Sequence, residues 1–219
     1  MKKHLFLLLL LAASLATSTH LNAQVKFGVK AGLNLANINS GGDEDVLDGL
    51  DPKMTPTFLV GGVVEFGLTE NLGIGTGVQL SGKGFKLEEE DEFGKYSIRS
   101  NPLYLQVPVS INYQNNGFFA SFGPYLGFGV GGKNKETFDG ESDTYDVEFG
   151  DGSNEDDLYS PLDYGLTLEL GYAVAGAVRL SASYQLGLAN ALPKTFKDEG
   201  YKVNHQVIGV AATYLFGGQ

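Results

Sequence analysis

Between Leu103 and Val130 the chain reads LYLQVPVSINYQNNGFFASFGPYLGFGV, and its apolar residues fall on every second position. Leu103, Leu105, Val107, Val109, Ile111 and Tyr113 share one parity. After Gln114-Asn115-Asn116-Gly117, the other parity carries Phe118, Ala120, Phe122, Pro124, Leu126, Phe128 and Val130. Between them stand Tyr104, Gln106, Ser110, Asn112, Ser121, Gly123, Tyr125, Gly127 and Gly129. Strict alternation of this length, broken by an Asn-Gly turn, predicts a β-hairpin with one large apolar face and one small or polar face.

The same pattern recurs along the chain and predicts eight strands, near 24–37, 56–68, 72–86, 97–113, 118–132, 161–173, 177–190 and 203–217. No helical periodicity is evident. Connections alternate in length. Thr69-Glu70-Asn71, Gln114 to Gly117 and Val174-Ala175-Gly176 are short, whereas 38–55, 87–96, 133–160 and 191–202 are long. An up-and-down antiparallel meander puts short and long connections at opposite ends, and an even strand number lets it close. Of the 26 acidic residues, 22 fall in the four long connections. The third, around ETFDGESDTYDVEFGDGSNEDD, is close to a polyanion and is expected to be mobile.

Strand parity decides which face is inside. Phe58, Val60, Val64 and Phe66, then Leu72, Ile74, Val78 and Leu80, then Leu162, Tyr164, Leu166, Leu168, Leu170 and Tyr172 line up without a charge. Lys26, Lys30, Glu65, Asp163, Glu169 and Arg179 all take the opposite parity, among Gly, Ser, Thr, Asn and Gln. An eight-stranded lumen is only just wide enough for side chains and could not hold every Leu, Phe and Tyr. The inverted arrangement fits: apolar residues face lipid and small or polar residues fill a narrow lumen. Closure satisfies the backbone within a bilayer, and stripes of about 9–12 residues match the length a tilted strand needs. The fold expected is therefore all-β, an eight-stranded antiparallel up-and-down transmembrane β-barrel with a narrow polar lumen. Phe66, Tyr113, Phe118, Tyr172 and Phe216 mark one interfacial belt, and Phe58, Phe128, Tyr164 and Tyr184 the other. Pro108 and Pro124 each lack an N–H, so bulges or distortions are expected there.

Residues 1–23 have the form of an export leader: Lys2 and Lys3, an apolar run from Leu5 to Ala16, and Leu21-Asn22-Ala23 for cleavage before Gln24. The barrel is expected to occupy 24–219. Loss of Lys2 and Lys3 takes the formal charge from −11 to −13, and no basic patch is evident in the sequence to neutralise phosphates, so nucleic acid is not an expected partner. The chain has no Cys, which rules out disulfides and thiolate metal sites. Its 31 Gly are about twice the usual share.

Four stretches, VKFGVKAGLNLANI, NPLYLQVPVSINYQ, GPYLGFGVGGK and VIGVAATYLFGG, resemble the outer-membrane β-barrel domain family common in Bacteroidota, labelled porin family or PorT-like. The resemblance covers essentially the whole chain after the leader. It implies an eight-stranded barrel in the bacterial outer membrane, in contact with outer-membrane lipid and inserted by the barrel-assembly machinery. The family pattern of a terminal aromatic is departed from here, since Gly217-Gly218-Gln219 follow Phe216.

The charges of inward parity are the candidate site. Lys30 and Glu65 lie on adjacent strands, as do Glu169 and Arg179, and the two pairs together could form one structural network plugging the lumen, or a gate that passes ions. No cofactor, metal or catalytic group is assigned. His205, the lone histidine after the leader, reads as an ordinary rim residue. DGSNEDD lacks the spacing of a calcium loop, and GIGTG and GFGVGG lie inside strands rather than before a helix that could bind phosphate. The function expected is a non-enzymatic structural or interaction role through acidic extracellular loops, with the termini periplasmic and an unknown extracellular or periplasmic protein as a possible partner. The alternatives are a small ion-conducting channel or a lipid-modifying outer-membrane enzyme. A soluble secreted ligand-binding barrel is disfavoured by the face argument.

Overall fold

The structure is a computed structural model that describes residues 25–42, 49–91, 94–154 and 157–216. The segment at 1–23 that is expected to be a leader and the residues after Phe216 lie outside it. Eight strands close into a ring: β1 (Val25–Gly42), β2 (Thr55–Gly67), β3 (Leu72–Gly82), β5 (Gly94–Asn115), β6 (Phe118–Phe138), β10 (Leu162–Ala175), β11 (Val178–Gly187) and β12 (Tyr201–Phe216). Every strand pairs antiparallel with its neighbour, and β12 returns to β1 from Phe27↔Phe216 to Gly42↔Tyr201. Closure leaves no unpaired edge within the ring. Among the described residues no helix is long and apolar enough to cross a membrane; the strands do the crossing.

Large residues face outward and small or polar ones inward. Leu33 is 69% exposed, whereas Lys30, three positions earlier and of the opposite parity, is 8% exposed. The same alternation leaves Phe122, Leu126 and Phe128 exposed on β6 while Tyr125 is buried between them. A continuous apolar exterior of this size belongs against lipid, not water. The nine aromatics of the two expected belts are all exposed on this face. Tyr184 pairs with Leu168, which puts it at mid-height rather than at a rim.

The prolines do not bulge the strands. The β3–β5 ladder skips from Thr76↔Val109 to Gln79↔Gln106 around Pro108, yet the register is the same on both sides, and β6–β10 runs straight through Leu166↔Pro124. The expected distortions take the form of ladder gaps instead: β3–β5 is interrupted beside Pro108, and β5–β6 beside Pro124, between Pro108↔Tyr125 and Ile111↔Phe122. The bulge lies elsewhere in this hairpin, where Leu103↔Gly131 gives way to Tyr104↔Gly129 and Val130 is left over. Gly131 takes φ +150 there, a conformation closed to most side chains.

Beyond the barrel, β5 and β6 continue as a ribbon flanked by β4 (Phe85–Asp91) and β7 (Glu141–Asp146). The acidic third connection is thus largely ordered, contrary to the mobility its charge suggests. Its carboxylates ride on β7, which is exposed along its whole length, and on a short parallel pair, β8 (Glu148–Phe149) and β9 (Asp157–Tyr159). One turn of helix, α1 (Lys194–Asp198), follows Pro193 in the last long connection, where no helical period was visible. Five residues are too few to show one. The hydrophobic cluster of the chain, Val147, Tyr159 and Ala191 packed by Phe85 and Phe149, caps the long-loop end of the barrel.

Candidate functional site in the barrel lumen

All four expected lumen charges point inward, but they pair differently from the adjacent-strand arrangement. Lys30 donates to Glu169 at 2.6 Å, and Arg179 Nη1 donates to Glu65 Oε1 at 2.7 Å. Each bridge spans the lumen, since two strands separate β1 from β10 and β11 from β2 around the ring. The register explains this. Lys30 faces Gly61 and Lys26 faces Glu65, while Glu169 faces Ser183 and Arg179 faces Ala173. Each adjacent-strand pair is therefore offset by four residues, roughly 13 Å along the strand, too far for contact. Arg179 Nη2 also reaches Gln114 Oε1 at 2.6 Å, and its guanidinium lies 5.1 Å from the Phe119 ring.

These bridges divide the lumen. Below the Glu65–Arg179 pair, a vestibule of about 300 Å³ opens at the short-turn end, lined by Lys26, Asn112, Gln114 and Phe119 among others. Above it, a cavity of about 80 Å³ lies between Lys30, Glu169, Gln79, Gln106, Thr167 and Gln185. Gln106 Nε2, Gln185 Oε1 and Thr167 Oγ1 reach no protein partner. The chamber is polar enough to be wet, water being the ordinary partner of such groups.

At the long-loop end the lumen is closed. Lys83 is fully buried and makes an ion pair with Asp163, and its Nζ also donates to Tyr125 Oη at 2.9 Å. The ammonium sits 4.2 Å from the Tyr125 ring centroid and 5.6 Å from that of Tyr104. Tyr104 Oη meets His205 Nε2 at 3.4 Å, His205 stacks on Tyr159 at 6.0 Å, and Phe149 packs edge-on to Tyr104 at 5.4 Å. Ser100 ties Tyr159 to Asn134 at 2.7 and 2.5 Å. The chain folds this way because Gly84 takes φ +126 against Ser100, turning β3 into β4 and leaving Lys83 aimed inward.

His205 is therefore not a rim residue. It is buried, because the β1–β12 ladder continues past it from Ile38↔His205 to Gly42↔Tyr201. Lys83 belongs to the site although the sequence reading passed over it. The clue was its parity, which it shares with Ser81 and Gln79 rather than with Leu80. The Asp151–Asp157 loop uses its buried carboxylate locally: Asp157 Oδ2 accepts from the backbone of Gly152 at 3.0 Å and of Asn154 at 3.3 Å. Among the described residues no cluster could hold a metal ion. On the outer ribbon, hydrogen bonds from Lys86 and then Lys53 pull the Glu88 carboxyl down to about 2.

A family model described as outer membrane protein beta-barrel domain matches residues 17–192. The chain belongs to that family. Together with the closed ring and its apolar exterior, this makes it an outer-membrane β-barrel protein of a bacterium. Among curated proteins nothing matches. Three solved structures resemble it at low sequence identity. It is similar to Ail, the attachment invasion locus protein of Yersinia pestis, at 16% identity over 87% of this chain and 98% of that one, with a TM-score of 0.41. It is similar to Neisserial surface protein A at 12% identity over 86% and 96%, with a TM-score of 0.44. It is likewise similar to the outer membrane protein W of E. coli at 16% identity over 90% and 100%, with a TM-score of 0.37.

Proposed function

We propose that this chain, a member of the Bacteroidota PorT-like branch, is a closed, non-enzymatic barrel whose task is performed by the structure standing on its long-loop end. The observation that carries this reading is the plug. Lys83, Asp163, Tyr104, Tyr125 and His205, all buried, fill the lumen where a solute would have to pass. Moving them aside would leave the Lys83 and Asp163 charges without each other in a confined space, a large cost. The only imidazole outside the leader is engaged with Tyr104 and Tyr159, so it serves packing rather than proton transfer. Long loops of such barrels face outward, which puts the β4–β7 ribbon outside the cell and both termini in the periplasm. There the ribbon is a firm platform for a protein partner, and the barrel is its anchor, inserted by the barrel-assembly machinery. The test is conductance. Purified wild-type protein in planar bilayers should give no steady current. Large, stable open steps would replace this reading with that of a small ion-conducting channel.

A further inference from the structure

The outer face of the ribbon carries a charge arrangement opposite in sign to the rest of the chain. Lys53 bridges to Lys86, Lys86 faces Arg99, and Arg99 faces Lys135. Four cations thus stand side by side in one cross-strand row, in a chain of formal charge −11. Like charges directly opposite one another in a sheet are destabilising. Glu88 offsets the first two, and Lys133 on the same face is paired with Asp146 at 2.6 Å. Among the described residues no carboxylate pairs with Arg99 or Lys135. A groove of about 350 Å³ lies against these side chains, between Lys86, Lys95, Arg99, Lys135 and Thr137, with Glu88 its one carboxylate.

The position of the row says what it meets. Ser100 and Asn134, its neighbours along β5 and β6, are buried, so Arg99 and Lys135 point away from the barrel axis, as Leu103 and Leu105 do. The row therefore continues the lipid-facing surface upward. Arg99 stands four residues past Leu103, roughly 13 Å along a strand tilted by about 45°, or about 9 Å beyond the apolar band. That height is a few ångströms above a headgroup layer about 5–7 Å deep, within the span over which long basic side chains reach back along their own stems. We propose that this face binds the phosphate groups of lipids in the leaflet on the long-loop side, with Arg99 and Lys135 as the principal contacts. The inference goes beyond the reading of the barrel as a plugged scaffold and does not depend on it, since a conducting barrel would carry the same row.

The full-length chain in phosphatidylcholine nanodiscs doped with phosphatidylglycerol tests it. The measured quantity is the ratio of the two lipids that stay bound on native mass spectrometry. Wild type should retain phosphatidylglycerol in preference, and the preference should fall roughly thirtyfold in Arg99→Gln/Lys135→Gln, given what each basic residue contributes beside an anionic surface. Glu88→Gln, which strengthens the row, should raise it; this arm stands even if the double variant folds poorly. Equal retention by wild type and the double variant, or no gain in Glu88→Gln, overturns the proposal. So does full competition by millimolar inorganic phosphate, which would make the row a site for soluble anions.

Discussion

The cross-lumen pairing makes a sharp prediction about which second change rescues a lost charge. Arg179→Gln removes the cation from a side chain only 8% exposed and strands Glu65, whose side chain is 23% exposed. Breaking a fully buried pair costs about 3–5 kcal/mol. Glu65 borders the vestibule, where water can re-solvate it. The cost should therefore shrink to about 2–3 kcal/mol, which includes the lost contacts to Gln114 and Phe119. Adding Glu65→Gln removes the stranded charge, so the double variant should recover about 1–2 kcal/mol relative to the sum of the singles. Adding Glu169→Gln instead should recover less, because Lys30 holds that carboxylate at 2.6 Å and would itself be stranded. The assay is reversible urea unfolding in lipid vesicles for wild type, the three single variants and the two doubles, followed by circular dichroism and by the mobility difference between folded and unfolded barrel. A larger coupling of Arg179 to Glu169 than to Glu65 would refute the cross-lumen pairing.

Three further expectations follow from other parts of the molecule. Leu168→Arg, at mid-height on the lipid face between Phe122 and Tyr184, should destabilise the inserted barrel by about 2–4 kcal/mol, read by the same unfolding assay; the neighbouring Thr167→Arg should act through crowding of the lumen, and a Leu168→Arg protein that stays folded and soluble without detergent would contradict the outward assignment. Lys83→Met should cost about 3–5 kcal/mol and Lys83→Met/Asp163→Asn distinctly less, measured as the urea midpoint, because only the single change leaves a buried charge alone. A tag inserted beside Gly152 should be labelled on intact cells; labelling only after lysis would reverse the proposed orientation.

Most of the barrel was legible from parity alone. The ring strands lie within a few residues of the alternating segments because each strand has one face in lipid and one in a narrow lumen, two environments that select different residue types. The inward direction of Lys30, Glu65, Glu169 and Arg179 was legible for the same reason. Their partners were not, because parity gives the face of a residue but not its height, and height depends on the stagger between strands. Register puts Lys26, not Lys30, opposite Glu65. The plug was missed where alternation was followed no further than the apolar stripe. Lys83 and His205 keep the inward parity beyond it, near the ends of the expected strands 72–86 and 203–217. The ribbon was hidden by charge: β7 is exposed along its whole length and has no apolar stripe, so its acids make it read as a solvated loop.

The bulge at Val130 has a further meaning for how one strand serves two solvents. Along β6 the even-numbered residues face out as far as Val130, and from Lys133 the odd-numbered ones do. A single inserted residue thus acts as a phase slip in the pleat, located at the top of the hydrocarbon. Without it, Lys133 and Lys135 would turn inward against Ser100 and Tyr159, and Asn134 would be left facing the leaflet. With it, the ladder to β5 is kept while the rule that relates residue number to environment is reset. The two halves of the strand are consequently free to diverge under separate constraints, lipid tails below and the wet headgroup side above, as if a splice joint had been built into continuous backbone.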